Sequence, residues 1–244
     1  MKVAALLFRF RVLVFVLLYV LGFFPPWEWG VRNGNNGTLW LASSTLFARS
    51  AWTSLAAATV AVTAVALVCL VMGTILRVWG TAYLGHGVMR DTAMQGGRFV
   101  AAGPYRYVRN PLYLGAWLLA CGASILMPPG GAGFFLIAFV LFVLFLISSE
   151  ERFLSIKLGD AYEQYRRRVP RLLPHRRAVA VTSAERPKWV QAALAETHPI
   201  AFTVCFAIFA WRYNARVLIQ CLLICYGLSL VVRAFMTHTA KISG

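Results

Sequence analysis

Six apolar stretches restrict this chain to very few folds. They are Val12–Phe24, Leu55–Leu76, Leu112–Met127, Phe134–Ile147, Ile200–Trp211 and Val217–Val232. Hydrophobic residues make up 60% of the 244 residues and charged residues 13%, about half of the charged share of a soluble domain. A helix needs ~20 apolar residues to cross a hydrocarbon core, so the shorter stretches need flanking residues or a tight bundle. The sequence therefore predicts an all-α fold, a polytopic integral membrane helical bundle of about six transmembrane helices.

We interpret residues 1–244 as a single membrane domain, in which residues 178–244 form a linker and two C-terminal helices. The first apolar stretch is interpreted as a retained helix rather than a signal peptide. Arg9 and Arg11 interrupt it, and no cleavage site of the small-x-small type precedes Pro25. We expect a multi-pass protein of a bacterial inner membrane or of the endoplasmic reticulum.

The net charge of +16 is concentrated in loops beside the apolar stretches. Loop 77–111 and segment 148–177 are both rich in lysine and arginine, which is typical of cytoplasmic loops that contact anionic lipids. We therefore predict that both segments are cytoplasmic, that membrane lipids are partners and that nucleic acid is not. Arg212 and Arg216 are exceptions, because the helix count places them on the other side.

Neither the cysteines nor the histidines have the spacing of metal ligands. Their positions are Cys69, Cys121, Cys205, Cys221 and Cys225, all in apolar stretches, and His86, His175, His198 and His238, which are scattered. The sequence predicts no metal site and no disulfide framework.

A polar block stands directly before the third apolar stretch. It reads Gly-Pro-Tyr-Arg-Tyr-Val-Arg-Asn-Pro-Leu-Tyr-Leu-Gly from Gly103 to Gly115. Pro111 suits the first position of a helix, where unpaired backbone N–H groups suit an anion. Gly115 permits close approach of a neighbouring helix or of a ligand. Alone, the block is also typical of an arginine and tyrosine anchor at a membrane interface.

A second polar block follows after an apolar hairpin, and it begins at Glu150. One helical face of this block carries Glu151, Leu154, Leu158, Ala161 and Tyr165. Two acids at the cytoplasmic end of a membrane helix are unfavourable unless a cation meets them. That cation is either Arg152, Lys157 or the arginine loop, or it belongs to a ligand. Because a hairpin returns the chain to the same membrane face, we expect both blocks to close one polar pocket beside lipid.

Together the two blocks resemble a known family. The pattern Gly-Pro-Tyr-Arg-Tyr-Val-Arg-x-Pro-x-Tyr-x-Gly, followed by Glu-Glu-x-x-Leu-x-x-x-x-Gly-x-x-Tyr-x-x-Tyr-x-x-x-Val-Pro-x-x-x-Pro, is similar to the isoprenylcysteine carboxyl methyltransferase family. The membrane phospholipid N-methyltransferases share its general layout. The resemblance covers residues 98–175, which we interpret as the methyltransferase core motifs. It implies an integral membrane enzyme that uses S-adenosylmethionine without a Rossmann fold.

The resemblance also implies roles for the polar residues. A glutamate would accept hydrogen bonds from the ribose or amine of S-adenosylmethionine, and Arg109 would orient an acidic acceptor, so Arg109 and Glu151 are the catalytic candidates. The cofactor-binding candidates are Tyr105, Arg106, Asn110, Pro111, Tyr113, Gly115, Glu150, Tyr162 and Tyr165. Tyr162 and Tyr165 either pack against the adenine or lie at the membrane surface.

Asn110 departs from the family pattern, which usually has histidine at this position. Asparagine does not titrate, so a general base here is excluded. A carboxylate acceptor needs no base, whereas an amine acceptor must first lose a proton. We therefore predict methyl transfer to a carboxylate on a lipophilic or prenylated acceptor, at a pocket on the cytoplasmic side.

Three other functions remain open at this point. The first is a phospholipid amine N-methyltransferase. The second is a non-catalytic scaffold or transporter, for which ionisable residues in mid-membrane or internal repeats would be expected and are almost absent. The third is a membrane reductase with a nicotinamide cofactor.

Overall fold

The computed structural model describes residues 10–28, 37–49, 53–84, 102–175, 186–225 and 227. Regular structure in this part of the chain is helical, and it contains no strand, which confirms the all-α prediction. The helices are α1 Arg11–Phe23, α2 Leu39–Arg49, α3 Leu55–Leu84, α4 Pro111–Ser124, α5 Pro129–Leu158, α6 Asp160–Arg168, α7 Trp189–Ala195, α8 Thr197–Arg212 and α9 Ala215–Cys225. Two short 3₁₀ turns lie at Pro26–Glu28 and Gly103–Arg106.

Two helices of the described residues, α3 and α5, are long and apolar enough to cross a membrane, with 30 residues each. Helices α7 and α8 meet this criterion only as a pair, and they are bent by 71° relative to each other. Helices α1, α4 and α9 are apolar but shorter. The described residues therefore provide two spans, or three if the bent pair is one span, where the sequence predicts about six.

Several segments expected to be loops contain helix. Helix α2 lies in the loop between the first two apolar stretches, and α7 lies in the expected linker. Helix α3 continues through Arg77 to Leu84, because the Arg77 charge is neutralised by Glu196 inside the protein. Helix α5 likewise continues to Leu158, so the acidic pair beginning at Glu150 lies within the helix and not at its end.

Glycines bring α3 and α4 into backbone contact. A Cβ atom on Gly115 would lie 2.8 Å from the Gly73 carbonyl oxygen, and one on Gly73 would lie 2.7 Å from the Gly115 carbonyl oxygen. A Cβ atom on Gly122 would lie 2.8 Å from the carbonyl oxygen of Ala66. Small residues allow this close approach, which membrane helices use in place of a hydrophobic driving force. The contact fixes α4, whose first turn borders the polar block.

Helix α1 packs against α5 through aromatic side chains. The Phe15 ring lies 5.1 Å from the rings of both Phe139 and Phe142, and the Tyr19 ring lies 4.7 Å from that of Phe135. These residues belong to a core cluster that also contains residues of α4. Helices α1, α4 and α5 therefore form one packed unit beneath the second polar block.

Gly159 separates α5 from α6 and changes the register of the second block. Its φ of 54° lies in the left-handed region that favours glycine. As a result Tyr162, and not Ala161, joins Leu158 and Tyr165 on the inner face, while Ala161 is exposed. The predicted placement of Ala161 on this face is therefore wrong.

Candidate active site

The two polar blocks lie side by side, as the hairpin argument predicts. The Arg109 backbone N–H donates to the Pro170 carbonyl over 2.8 Å, and the His175 backbone N–H donates to the Tyr107 carbonyl over 2.8 Å. The Tyr165 hydroxyl donates to the Tyr105 carbonyl over 2.8 Å. These bonds tie the turn before α4 to the segment after α6. The prediction that both blocks meet is confirmed.

Glu151 is the centre of the contact between the blocks. One of its carboxylate oxygens lies 3.4 Å from a terminal nitrogen of Arg109 and accepts a hydrogen bond from the Asn110 side chain over 3.2 Å. The other oxygen lies 3.2 Å from a terminal nitrogen of Arg171. The Glu151 and Arg109 side chains are only 9% and 10% exposed. We call Arg109, Asn110, Glu151 and Arg171 the Glu151 cluster.

The Glu151 cluster has donors to spare. Two guanidinium groups face one carboxylate, which leaves an excess positive charge. Among the residues that the structure describes, none accepts a hydrogen bond from the buried Nε of Arg109 or of Arg171. Buried donors without a partner are costly, so they indicate a missing acceptor. A zwitterionic ligand with a carboxylate fits this set, since the arginines would hold its anion and Glu151 its amine or hydroxyls.

Asn110 and Pro111 place the start of α4 against this cluster. Pro111 is the first residue of the helix and is buried. The Asn110 side chain does not cap the helix, because its amide donates to Glu151 and to the Arg171 carbonyl, both over 3.2 Å. The first-turn N–H groups of α4 are therefore not satisfied by Asn110 and contribute positive potential.

Glu150 points to a different neighbour from Glu151. Its carboxylate accepts a hydrogen bond from the Tyr113 hydroxyl over 2.7 Å. Tyr113 in turn packs against the core formed by α1 and α5. The two adjacent glutamates therefore lie in different environments: Glu151 lies between two arginines, and Glu150 lies beside the Tyr113 phenol.

Tyr162 and Tyr165 are buried, which excludes the membrane-surface alternative for both. Their exposed fractions are 3% and 7%, and their ring centroids lie 6.0 Å apart. Burial, together with the nearby Glu151 carboxylate, raises the pKa of Tyr162 to about 12. Burial also raises the pKa of Tyr165. Both phenols are therefore neutral at physiological pH, beside the Glu151 cluster.

The remaining candidates of the first block, Tyr105, Arg106 and Gly115, differ in burial and in what they contact. Tyr105 is buried in the 3₁₀ turn, where burial raises its pKa. Arg106 ends this turn and is partly exposed. Of the two alternatives for Gly115, the structure has the close approach of a neighbouring helix, at Gly73.

Sequence reasoning missed three charged residues. Arg171 is not among the candidate residues, yet it pairs with Glu151 over 3.2 Å. Arg77 pairs with Glu196 through two hydrogen bonds of 2.6 and 3.0 Å, and Thr81 donates to the same carboxylate over 2.8 Å. Glu196 is 1% exposed. The available signal was a lone glutamate close to an apolar stretch, which needs a cation if it is buried.

No group of three or more potential metal ligands occurs among the described residues, which include His175 and His198. His86 and His238 lie outside the described residues.

Three consecutive arginines on α6 are exposed: Arg166, Arg167 and Arg168. Arg166 pairs with Glu163 over 3.1 Å.

Comparison with known proteins gives partial matches. Curated relatives include the protein-S-isoprenylcysteine O-methyltransferase of Schizosaccharomyces pombe, 39% identical over 77 residues, which are 31% of this chain and 32% of the relative. Methanethiol S-methyltransferase 2 of Bradyrhizobium diazoefficiens is 40% identical over 85 residues, 35% of this chain and 32% of the relative. The methanethiol S-methyltransferase of Crocosphaera subtropica is 39% identical over 70 residues, 29% of this chain and 27% of the relative.

The chain thus spans about a third or less of the length of these curated relatives. No solved structure matches it. Residues 61–161 match the family model described as phospholipid methyltransferase. This matched segment begins in α3 and ends at the start of α6. The methyltransferase resemblance predicted from the motifs is therefore confirmed: residues 61–161, called the family segment below, are similar to the phospholipid methyltransferase family.

Proposed function

We propose that this chain is an integral membrane methyltransferase that transfers a methyl group from S-adenosylmethionine to a lipophilic acceptor. The first candidate acceptor is a carboxylate of the isoprenylcysteine type. The observation that carries the proposal is the Glu151 cluster, in which two distant stretches of the family segment and its flank meet around one buried carboxylate. The first stretch provides Arg109 and Asn110, and the second provides Glu151 and Arg171.

The cluster supplies the groups that the methyl donor needs. S-adenosylmethionine, when bound, supplies an electrophilic methyl group on a sulfonium sulfur. The spare Nε donors of Arg109 and Arg171 would hold its carboxylate, and Glu151 would accept from its amine or ribose. Tyr162 and Tyr165 are packed within the protein beside the cluster, so they would support the adenine site from behind rather than form its open surface. Because displacement is in-line, fixing both partners in a dry site accounts for much of the rate.

The acceptor class follows from Asn110. Transfer to a carboxylate breaks a sulfonium–methyl bond, forms an ester O–CH₃ bond and releases no proton, so no base is required. Asn110 is committed as a donor to Glu151 and offers no base. We therefore place a carboxylate acceptor first, with the cofactor side of the site facing the cytoplasm, in a bacterial inner membrane or in the endoplasmic reticulum.

Two other acceptors keep specific support. The family model that matches residues 61–161 is named for phospholipid methylation, which favours an amine. Two of the relatives are named for methanethiol, which favours a thiol. Both would need a base, and Glu150 with its Tyr113 partner is the carboxylate nearest to that role.

Binding of S-adenosylhomocysteine to the whole chain in detergent, followed calorimetrically, tests the proposal. Glu151→Ala and Arg109→Ala should each weaken binding by about tenfold to a hundredfold, since a charge-assisted hydrogen bond is lost. Asp160→Ala and Arg167→Ala make the same charge changes on exposed α6 positions and should leave the affinity unchanged. Equal affinity in all four variants contradicts the cofactor assignment.

Mass spectrometry of lipid extracts identifies the acceptor. Extracts incubated with the enzyme and S-adenosylmethionine should gain one methylated species that the Glu151→Ala variant does not produce. Mild base cleaves a methyl ester but neither a quaternised amine nor a thioether. The last two differ in fixed positive charge, so the product class follows from the same sample. If the extracts become methylated although the chain shows no measurable binding of S-adenosylhomocysteine, the proposal is contradicted.

A further inference from the structure

An apolar groove lies between α3 and α7, away from the Glu151 cluster. Its volume is about 390 Å³, within the range of small-molecule sites. It is lined by Thr74, Ile75, Val78, Trp79 and Trp189, and its walls are almost entirely apolar. Ile75 and Trp189 are each half-exposed, so the groove opens sideways. On a helix long enough to cross a membrane, that opening faces lipid.

The C-terminal wall of the groove is fixed by polar contacts. The Lys188 backbone N–H donates to the Ala82 carbonyl over 2.8 Å, directly beside Trp189. Directly after α7 ends at Ala195, buried Glu196 forms its bidentate pair with Arg77 on α3. A buried ion pair adds little stability compared with apolar packing, so its presence inside a membrane helix points to a positioning role.

One wall of the groove borders the first polar block. The Trp79 ring, which lines the groove, lies 6.1 Å from the Tyr107 ring. Tyr107 stands two residues before Arg109 and accepts the backbone hydrogen bond of His175. An elongated molecule in the groove would therefore have one end at the turn that carries Arg109.

We propose that this groove binds the hydrocarbon part of the methyl acceptor, with Trp189 as a specificity-determining residue. Glu196 is a positioning residue that acts through Arg77 on the α7 wall. The inference rests on the proposed function and extends it, because Trp189 and Glu196 lie outside the family segment of residues 61–161. An acyl chain of a membrane lipid has the same chemistry, and the test separates the two sources.

The test measures kcat/KM for the whole chain in nanodiscs against acceptors of increasing length. The probes are n-alkyl chains of about one to about sixteen carbons on three head groups: the N-acetylcysteine thioether carboxylate, the thiol and the amine. In the wild-type protein kcat/KM should rise about fourfold per methylene until the groove is full. Partition of an acceptor into the membrane is the same for every variant. The ratio of the variant's kcat/KM to that of the wild type, taken at each chain length, therefore isolates the contribution of the groove.

Val78→Trp fills the groove and Trp189→Ala removes a wall. Both should lower kcat/KM for the long acceptors by at least about tenfold and leave the one-carbon acceptor unchanged. Trp211→Ala is the matched control, since this tryptophan on α8 is 79% exposed and lies outside the groove. S-adenosylhomocysteine affinity reports the fold of each variant and should stay within about twofold of wild type.

Glu196→Gln distinguishes positioning from simple stability. In the folded fraction of this variant, KM for long acceptors should rise, while kcat for the one-carbon acceptor and the S-adenosylhomocysteine affinity remain unchanged. Glu196→Asp, which keeps the charge, should restore most of the wild-type KM. If Glu196 were purely structural, its loss would lower kcat for every acceptor and weaken S-adenosylhomocysteine binding as well.

A variant-to-wild-type ratio that is the same at every chain length overturns the inference, and a groove occupied only by membrane lipid gives that result. If S-adenosylhomocysteine binds and turnover ignores chain length, this inference alone fails. If none of the head groups is methylated, the proposed function fails first, and this inference fails with it.

Discussion

Gly115→Ala is the sharpest test of how the α3–α4 contact sets the site. The new Cβ would lie 2.8 Å from the Gly73 carbonyl oxygen and 2.7 Å from the Arg77 Cγ. The arginine stem can rotate away, but a backbone carbonyl in a helix cannot. The two helices must therefore move apart by several tenths of an ångström or more at this level.

The size of the effect follows from two opposing terms. Overpacking in a tight interior costs about 1–3 kcal/mol, whereas replacing glycine by alanine within a helix contributes about 0.5–1 kcal/mol of stability. Gly133→Ala on α5 isolates the second term, since a Cβ there meets nothing within 4 Å. The free energies of unfolding of the two variants should therefore differ by about 1–3 kcal/mol.

Thermal unfolding in detergent measures this difference. For a chain of this size, 1 kcal/mol corresponds to roughly 2–4 °C, so Gly115→Ala should unfold at least about 2 °C below Gly133→Ala. Because α4 begins at Pro111, the same displacement should weaken S-adenosylhomocysteine binding at the Glu151 cluster. Equal midpoints and equal affinities for the two variants would refute the close-contact reasoning.

Three further outcomes are expected. Tyr165→Phe leaves the buried Tyr105 carbonyl without its donor and should lower the free energy of unfolding by about 1–3 kcal/mol, which denaturant titration would measure. Asn110→Asp places a second carboxylate beside Glu151 and should weaken S-adenosylhomocysteine binding by about tenfold or more at neutral pH, and an unchanged calorimetric affinity would contradict this. Burial raises the pKa of Tyr162 from 10.0 to about 12, so its stabilising effect should be complete below pH 10 and be lost as the pH rises through 12. Ultraviolet titration should show one phenolate fewer above pH 11 in Tyr162→Phe than in the wild-type protein.

The juxtaposition of Arg109 and Glu151 was predictable because it depends on topology alone. An apolar hairpin must return the chain to the face it left, whatever the packing between its helices. Side-chain partners were less predictable. Arg171 reaches Glu151 only because the chain reverses at Pro170 and pairs with the Arg109 backbone, a contact between residues 61 apart.

The prediction of helix boundaries was wrong at two places, because each boundary depends on information outside the local residue pattern. Arg77 marks the end of an apolar stretch by composition, yet the helix continues because its partner, Glu196, lies 119 residues later. At Gly159 the failure has the opposite cause. The helical spacing runs across this residue without interruption, but a left-handed backbone angle there rotates the following face.

The pairing of Arg77 with Glu196 has an evolutionary consequence. Neither residue can change alone without leaving an uncompensated charge in the apolar interior, which would cost several kcal/mol by the general behaviour of buried ion pairs. Among homologues that keep the C-terminal helices, these two positions should therefore vary together, and a chimera that exchanges those helices should be viable only when it restores a matching pair.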